Sequence, residues 1–256
     1  MDSLPAVDVS EERVLNGKEI DQIQVKTEVA SIKISESSDE QIHVLLDGTM
    51  DEKSKEKYRF SVESHGNQAE IKFDMSENNK FGFSFFENNP FDTELIISLP
   101  EKTFNKIDIH SDVGKIEMET IRAEELVVGT NVGNIALEEY IGKQAELKTD
   151  IGSIEINNAI GKMNIETNTG KVYLGMDKID EDINIKSDTG KVEVVVENKP
   201  DSLALDLKSE IGKVTADTEG ISIEEQMDSE IVGRLGSGGP KVKVRTDVGS
   251  IEFITQ

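Results

Sequence analysis

A unit of about 19 residues recurs along this chain of 256 residues, and no other feature limits the possible folds as strongly. The sequences SDVGKIEM, TNVGNIAL and TDIGSIEI follow one another at intervals of 19 residues. Further copies complete a series centred on Gly114, Gly133, Gly152, Gly170, Gly190, Gly212 and Gly249, and Ala30 takes the glycine's place in an eighth copy, VKTEVASIKI. The repeat indicates a solenoid, in which each copy forms one coil and packs on its neighbours.

Aligning the copies on the glycine gives columns of uniform chemistry. The positions seven and five before the glycine are apolar in every copy, as are those two and four after it, and the position three before it is always Ser or Thr. The position one before it holds Val29, Val113, Val132, Ile151, Thr169, Thr189, Ile211 and Val248. Alternate residues up to this last column are therefore predicted to face the core, as in a strand.

The alternation slips at the glycine, since the next inward position follows after three residues instead of two. A straight strand cannot absorb that slip, so the Asp-x-Gly motif predicts a corner in which glycine relieves a positive φ and Asp or Asn bonds its own turn. The predicted structural corners comprise Asp112, Gly114, Asn131, Gly133, Asp150, Gly152, Asn168, Gly170, Asp188, Gly190, Gly212, Asp247 and Gly249.

Two short strands per repeat, each bending into the next, predict an all-β, single-domain parallel β-solenoid, a right-handed β-helix with coils of about 19 residues. Residues 1–17 are acidic and unpatterned and are expected to be a tail or linker, with the β-solenoid domain at 18–256. Within it, residues 36–100 are predicted as an antiparallel insertion that includes a hairpin at His65-Gly66-Asn67, and residues 101–256 as tandem coils. Residues 217–241 replace an expected corner between Gly212 and Gly249.

Charge and composition exclude several functions. The net charge of -24 disfavours binding to nucleic acid or to an anionic membrane surface. The chain has no cysteine, which excludes disulfides and thiolate chemistry. It shows no signal peptide and no apolar run of the roughly 20 residues that span a bilayer. We expect no cofactor, and membrane association only through an anchor absent from this chain.

The sequence LPEKTFNKIDIHSDVGKIEMETI, the tandem Asp/Asn-x-Gly corners and the glycine-rich segment before TDVGSIEF resemble the bacterial "putative adhesin" β-solenoid family of unknown function. Within that family the chain is most similar to membrane-anchored, LiaG-like proteins of envelope-stress operons. The resemblance implies an extracytoplasmic protein anchored at the cell membrane, and it transfers no catalytic residue, because its motifs are fold motifs.

A calcium ladder is one interpretation of the column two before the glycine, since carboxylates stack there. Charged and neutral members alternate from Asp112 through Asn131, Asp150 and Asn168 to Asp188, which favours a structural explanation in which like charges are kept apart. A mostly basic outward column four before the glycine offers an anion-binding strip, but solvated charged faces are the commoner explanation.

Catalysis has little support in the sequence. His43, His65 and His110 show no metal-site spacing, and no nucleophile-elbow or phosphate-loop motif occurs. The sharpest unexplained feature is FGFSFFENNPF, where Phe81, Phe83, Phe85, Phe86 and Phe91 either bury one face of a capping strand or contact a partner.

The predicted function is therefore a noncatalytic interaction module of the cell envelope, whose partner is a protein or a cell-wall component. The alternatives are an enzyme acting on envelope polysaccharide and a regulatory partner of a membrane stress sensor.

Overall fold

The computed structural model describes residues 6–75, 92–217 and 219–255, and this part of the chain is almost entirely β-strand. Its twenty strands are joined by hydrogen bonds into one sheet. Helical structure in the described ranges is limited to a 3-10 turn at Gly17–Glu19 and one short helix, α1, at Glu52–Lys55. The predicted all-β class is confirmed.

The strand bounds follow the repeat. The first strands are β1 (Ala6–Asn16), β2 (Gln22–Val29), β3 (Ser31–Glu36), β4 (Gln41–Asp51), β5 (Tyr58–His65) and β6 (Gln68–Met75). The middle strands are β7 (Asp92–Leu99), β8 (Phe104–Val113), β9 (Ile116–Val132), β10 (Ile135–Ile151), β11 (Ile154–Thr169), β12 (Val172–Met176), β13 (Ile183–Thr189) and β14 (Val192–Val196). The last strands are β15 (Leu203–Ile211), β16 (Val214–Ala216), β17 (Ser222–Met227), β18 (Glu230–Leu235), β19 (Lys241–Val248) and β20 (Ile251–Thr255).

Each corner glycine of the repeat lies in a break between two strands. Strand β9 ends at Val132 and β10 begins at Ile135, on either side of Gly133, and the other corners are placed in the same way. Between corners the central chain is a single long strand of 17 residues in both β9 and β10, where two short strands were predicted. The two legs of a coil form one strand because their pairing with the neighbouring coil continues from one leg into the other, with a register shift between Ile141 and Gln144 of β10.

Successive coils stack in parallel. Ile135 of β10 lies opposite Ile116 of β9 on one side and Ile154 of β11 on the other, so equivalent residues of consecutive copies are neighbours. The inward columns form one continuous apolar core that extends from Ile20 to Phe253. The architecture is solenoid-like, with neighbouring strands about 4.8 Å apart along the rod.

The order of the last coils differs from the order in the chain. Val244 of β19 lies opposite Ile185 of β13 and Leu207 of β15, so the Gly249 coil is inserted between the Gly190 and Gly212 coils. Strand β18 pairs antiparallel with β15, and β17 pairs antiparallel with β18. Residues 217–241, predicted to replace a corner between Gly212 and Gly249, contain the β17–β18 hairpin, which pairs along the outer side of β15.

The first coils show a similar insertion. Strand β2 lies between β6 and β8, and β3 lies between β7 and β9, all in parallel. Antiparallel partners then cover this end, with β5 on β6 and β4 on β7. The region 36–100, predicted as antiparallel, thus contains both kinds of pairing, since β6 and β7 extend the parallel stack by one coil.

The N-terminal segment is not an unpatterned tail over its described length. Residues 6–16 form β1, which pairs antiparallel with β4 from Ala6 opposite Asp51 to Asn16 opposite Gln41. Val9 is buried with Leu46, Met50 and Phe73 in a second, smaller apolar cluster. Its alternation was concealed because Glu11 and Arg13 share the face of Val9, whereas Val14 is exposed on the opposite face.

Candidate functional site

The corners bring the coils into very close contact. A Cβ atom on Gly152 would lie 1.8 Å from the carbonyl oxygen of Gly133, and one on Gly133 would lie 1.9 Å from that of Gly114. Gly152 has a φ of 155°, but Gly133 is not among the residues with positive φ. The positive φ that we expected is present at six of the seven corner glycines, all except Gly133, and at every one of the seven the neighbouring coil leaves no room for a side chain.

Ala30 shows why one corner departs from the pattern. Its side chain is buried in the small apolar cluster with Val9, Leu46, Met50 and Phe73. The neighbouring strands on that side are β6 and β7, whose described residues hold no corner glycine, and the methyl group gains apolar contacts in this cluster.

The Ser/Thr column is buried behind the corners. The hydroxyl of Thr149 donates to the carbonyl oxygen of Gly133 at 3.0 Å, and that of Thr167 donates to Gly152 at 3.2 Å. Ser209 donates in the same way to Gly249, at 2.8 Å. The side-chain oxygens of four other members lack a hydrogen-bond partner among the described residues: Thr27, Ser111, Ser187 and Thr246. The column therefore holds the corner backbone in some coils only.

The Asp/Asn column links neighbouring coils. The amide of Asn131 donates to the carboxylate of Asp112 at 3.1 Å, and the amide of Asn168 donates to Asp150 at 3.2 Å. These amides bond the adjacent coil, where we expected each side chain to bond its own turn. In the last coils the observed stacking places Asp247 between Asp188 and Glu210, because their flanking residues are in register. Three acidic residues thus occupy consecutive coils without an asparagine between them.

The residues immediately before the corner glycines face solvent, which corrects the prediction that they line the core. Their exposed fractions are 38% for Val113, 41% for Val132, 57% for Ile151, 44% for Val248 and 68% for Ile211. Thr169 and Thr189 occupy the same column and are also exposed. Alternation ends at the buried Ser/Thr position, because the chain turns outward over the next residues.

We call this column the corner ridge and define it, in stacking order, as Val113, Val132, Ile151, Thr169, Thr189, Val248 and Ile211. Its seven members span six intervals of about 4.8 Å, or roughly 29 Å. Large apolar side chains that stand singly on a surface need no explanation, but here three lie side by side at one end of the ridge and two at the other, which is typical of a contact surface. Beside the ridge runs the glycine track, which consists of Gly114, Gly133, Gly152, Gly170, Gly190, Gly249 and Gly212.

Charges of opposite sign flank the ridge. On the preceding side lies the Asp/Asn column with Glu210 in the last coil, and on the following side, beyond the glycine track, lie Lys115, Asn134, Ser153, Lys171, Lys191, Ser250 and Lys213. Two of these lysines contact acidic side chains of the same face. Lys115 lies 2.5 Å from Glu117, and Lys191 lies 2.6 Å from Glu193.

The basic outward column is compensated by acidic partners. Lys148 and Lys186 lie 3.6 and 4.0 Å from Glu166, respectively. Arg245 contacts Asp206 at 2.5 Å, and although burial pulls the pKa of Asp206 upward, its hydrogen bonds with Arg245 and Lys241 outweigh this and lower the pKa. These contacts fit a solvated charged face better than an anion-binding strip.

The histidines are far apart. His43 lies between Asp39, at 3.1 Å, and Glu12 of β1, at 3.3 Å, and its hydrogen bond with Asp39 and then that with Glu12 raise its pKa. His65 lies 3.3 Å from Glu63 in the β5–β6 hairpin, and His110 lies 3.7 Å from Asp112. In the described ranges no group of three or more histidine, aspartate or glutamate side chains is placed to hold a metal ion.

A shallow depression lies on an outer face where Gly129 interrupts the basic column. His110 and Lys148 lie on either side, and the lining includes Asp108, Glu146 and Asp150. Because these groups are mixed in charge, this recess of about 340 Å³ favours no single ligand class.

The phenylalanine-rich segment lies outside the described residues, so the alternatives for Phe81, Phe83, Phe85, Phe86 and Phe91 stay predictions. Among the described helices, none has the length and apolar character needed to cross a bilayer.

Comparison with known proteins gives a family. A family model described as "Toastrack DUF4097" matches residues 20–159 and 111–253. Among curated proteins, none matches the chain significantly.

Several solved structures are similar over nearly the whole chain. A "putative cell adhesion protein" from Clostridium sporogenes ATCC 15579 is 15% identical with a TM-score of 0.39, and the match covers 98% of this chain and 100% of the other. A "putative adhesin" from Bacteroides fragilis NCTC 9343 is 13% identical with a TM-score of 0.47, covering 96% and 97%. A "putative adhesin" from Parabacteroides distasonis ATCC 8503 is also 13% identical, with a TM-score of 0.40 and the same coverage.

Proposed function

Since the chain belongs to the Toastrack DUF4097 family, we propose that it is a noncatalytic, adhesin-like interaction module of the bacterial cell envelope. The observation that carries this proposal is the corner ridge, a continuous row of exposed β-branched side chains on a rigid parallel stack. Covering such a row removes apolar area from water, which contributes a favourable free energy of about 25 cal/mol per Å² buried.

The fold suits this role because it presents the ridge without conformational change. Every ridge residue precedes a glycine that is held against the neighbouring coil, so the spacing of the ridge is fixed by the backbone stacking. A preorganised surface loses little entropy on binding, and the flanking charges restrict how a partner can be oriented.

We further propose that the stack is a right-handed solenoid with coils of about 19 residues. The protein acts outside the cytoplasm, tethered through an anchor beyond this chain, and its partner is a protein or a cell-wall component. With a net charge of -24, nucleic acid is an unfavourable partner.

The proposal is tested by placing a photo-crosslinking amino acid at Ile151 of the full-length protein in its native cells. The matched control is Ile160, which is 46% exposed but lies outside the ridge. We expect adducts of discrete mass from position 151 and none from position 160. Equal labelling from both positions, or from neither, contradicts a role for the ridge.

A further inference from the structure

We infer that the corner ridge binds the ridge of a second copy of this chain, with the two rods side by side and pointing in the same direction. This inference rests on the proposed function, because it names the partner of the same surface. A second copy of the chain fits this surface because of the charges on the two sides of the ridge.

The two flanks of the ridge differ in sign, which distinguishes the possible two-fold arrangements. With the two-fold axis along the rod, the acidic flank of one copy faces the lysine-containing flank of the other. With the axis perpendicular to the rod and in the interface, the acidic flanks face each other. Like charges in opposition are unfavourable, so only the parallel arrangement is self-complementary.

The complementarity holds coil by coil. In the parallel arrangement each coil faces the same coil of the second copy, so Asp112 faces the partner's Lys115. Asp188 then faces the partner's Lys191, and Glu210 faces the partner's Lys213. The other four coils place Asn131, Asp150, Asn168 and Asp247 opposite the partner's Asn134, the partner's Ser153, the partner's Lys171 and the partner's Ser250. None of the seven coils brings two like charges together.

The shape of the corner fits the same arrangement. The glycine track lies directly beside the ridge and carries no side chains, so it leaves a strip of accessible backbone along the rod. When the two-fold axis runs between ridge and track, the ridge of each copy lies over the track of the other. Each glycine track therefore covers the apolar side chains of the other copy's ridge.

The expected association is weak. The ridge is one side chain wide, so the contact buries little area. The ion pairs between the two copies are exposed to solvent, so they determine orientation more than affinity. Two copies with a net charge of -24 each also repel one another at long range. Because that repulsion is screened at physiological salt, with a Debye length of about 8 Å, association should be measured there and not at low ionic strength.

Single cysteines test the arrangement directly, since the chain has none of its own. We expect Val113→Cys, Ile151→Cys and Val248→Cys each to form a disulfide-linked dimer under mild oxidation, because in a parallel pair every ridge position lies beside the same position of the second copy. Ile160→Cys, exposed but outside the ridge, should remain monomeric. An antiparallel pair allows at most one ridge position to crosslink to itself, so that result overturns the inference.

Charge variants at the same position test it without oxidation. Ile151→Asp and Ile151→Lys should each be monomeric by sedimentation equilibrium, whereas their equimolar mixture should form a heterodimer. Ile160→Asp should associate like the wild type. Because position 151 is more than half exposed, these variants should retain the wild-type unfolding midpoint.

The remaining outcomes separate this inference from the proposed function. A wild-type chain that stays monomeric at the highest soluble concentration, while position 151 still crosslinks in cells, overturns self-association and leaves the interaction module standing. Protection of Ile151→Cys from maleimide in the monomer, relieved by deleting residues 78–89, would identify another segment of the same chain as the occupant. That result also overturns the inference.

Discussion

At the scale of single residues, the buried hydroxyls form two groups within one sequence column. Thr149 donates to the carbonyl oxygen of Gly133, whereas the hydroxyl of Thr246 has no partner among the described residues. Both side chains are almost completely buried. A valine at either position keeps the shape of the side chain and removes only the hydroxyl.

We therefore expect opposite effects from two matched substitutions. Thr149→Val should lower the free energy of unfolding by about 1 kcal/mol, because it removes a buried hydrogen bond. Thr246→Val should leave it unchanged or raise it, since a buried hydroxyl without a partner is itself unfavourable. Urea unfolding at constant m-value measures both, and equal losses would show that the column acts only through packing.

The Asp/Asn column gives a second residue-scale prediction. Asp247 lies between Asp188 and Glu210 in the observed stack, whereas Asn131 lies between two aspartates and donates to one of them. Asp247→Asn should raise the free energy of unfolding by a few tenths to about 1 kcal/mol, because it removes opposed like charges.

The reverse substitution is the control. Asn131→Asp should destabilise the protein by a similar amount, since it creates three consecutive carboxylates and removes a hydrogen bond. Both effects should shrink in about 1 M salt, where the Debye length is about 3 Å. Salt-independent effects would contradict the electrostatic explanation.

At the scale of elements, β1 depends on its pairing with β4 and on a histidine. Within the described ranges β4 is the strand that pairs with it, and His43 of β4 joins Glu12 of β1 to Asp39. The pKa of His43 is raised, first by its hydrogen bond with Asp39, so the folded state binds this proton more tightly than the unfolded chain does. The contribution is complete below about pH 6.5, the ordinary value for histidine, and is lost as the pH rises through the raised value.

We expect β1 to be better protected at pH 6 than at pH 8. Hydrogen exchange of the β1 amides, corrected for intrinsic rates, should show greater protection at the lower pH in the wild type. His43→Gln should remove the difference while β10, in the centre of the stack, stays unchanged in both proteins. The same pH dependence in the variant would assign it to other groups.

At the scale of the whole molecule, the order of the coils is the main result. The Gly249 coil separates the Gly190 and Gly212 coils, although Gly212 precedes it in the chain. The chain from β14 to β15 therefore skips one position in the stack. After the β17–β18 hairpin, strands β19 and β20 occupy that position, so the last coil of the chain lies inside the sheet and not at its end.

Cysteine pairs test this order because the chain contains no competing thiol. Asn184 and Lys243 are opposite one another, whereas Asp206 lies beyond Lys243. The double variant Asn184→Cys/Lys243→Cys should form an intramolecular disulfide, since adjacent strands are about 4.8 Å apart. Asn184→Cys/Asp206→Cys should not, at about twice that distance. Thiol titration and non-reducing electrophoresis measure both. The opposite result would show that the coils stack in the order in which they occur in the chain.

The amino-acid sequence by itself determined the period, the buried columns and the positions of the corners, because each depends on the chemistry of residues close together in the chain. Only the tertiary structure decided that Ile151 and its equivalents face solvent, since an apolar residue at a corner gives the same pattern whether it points in or out. It also decided the order of the last coils and the strand formed by residues 6–16. The coils present the same columns to one another, so local pattern makes them interchangeable, and the path of the connecting segments selects which of them become neighbours.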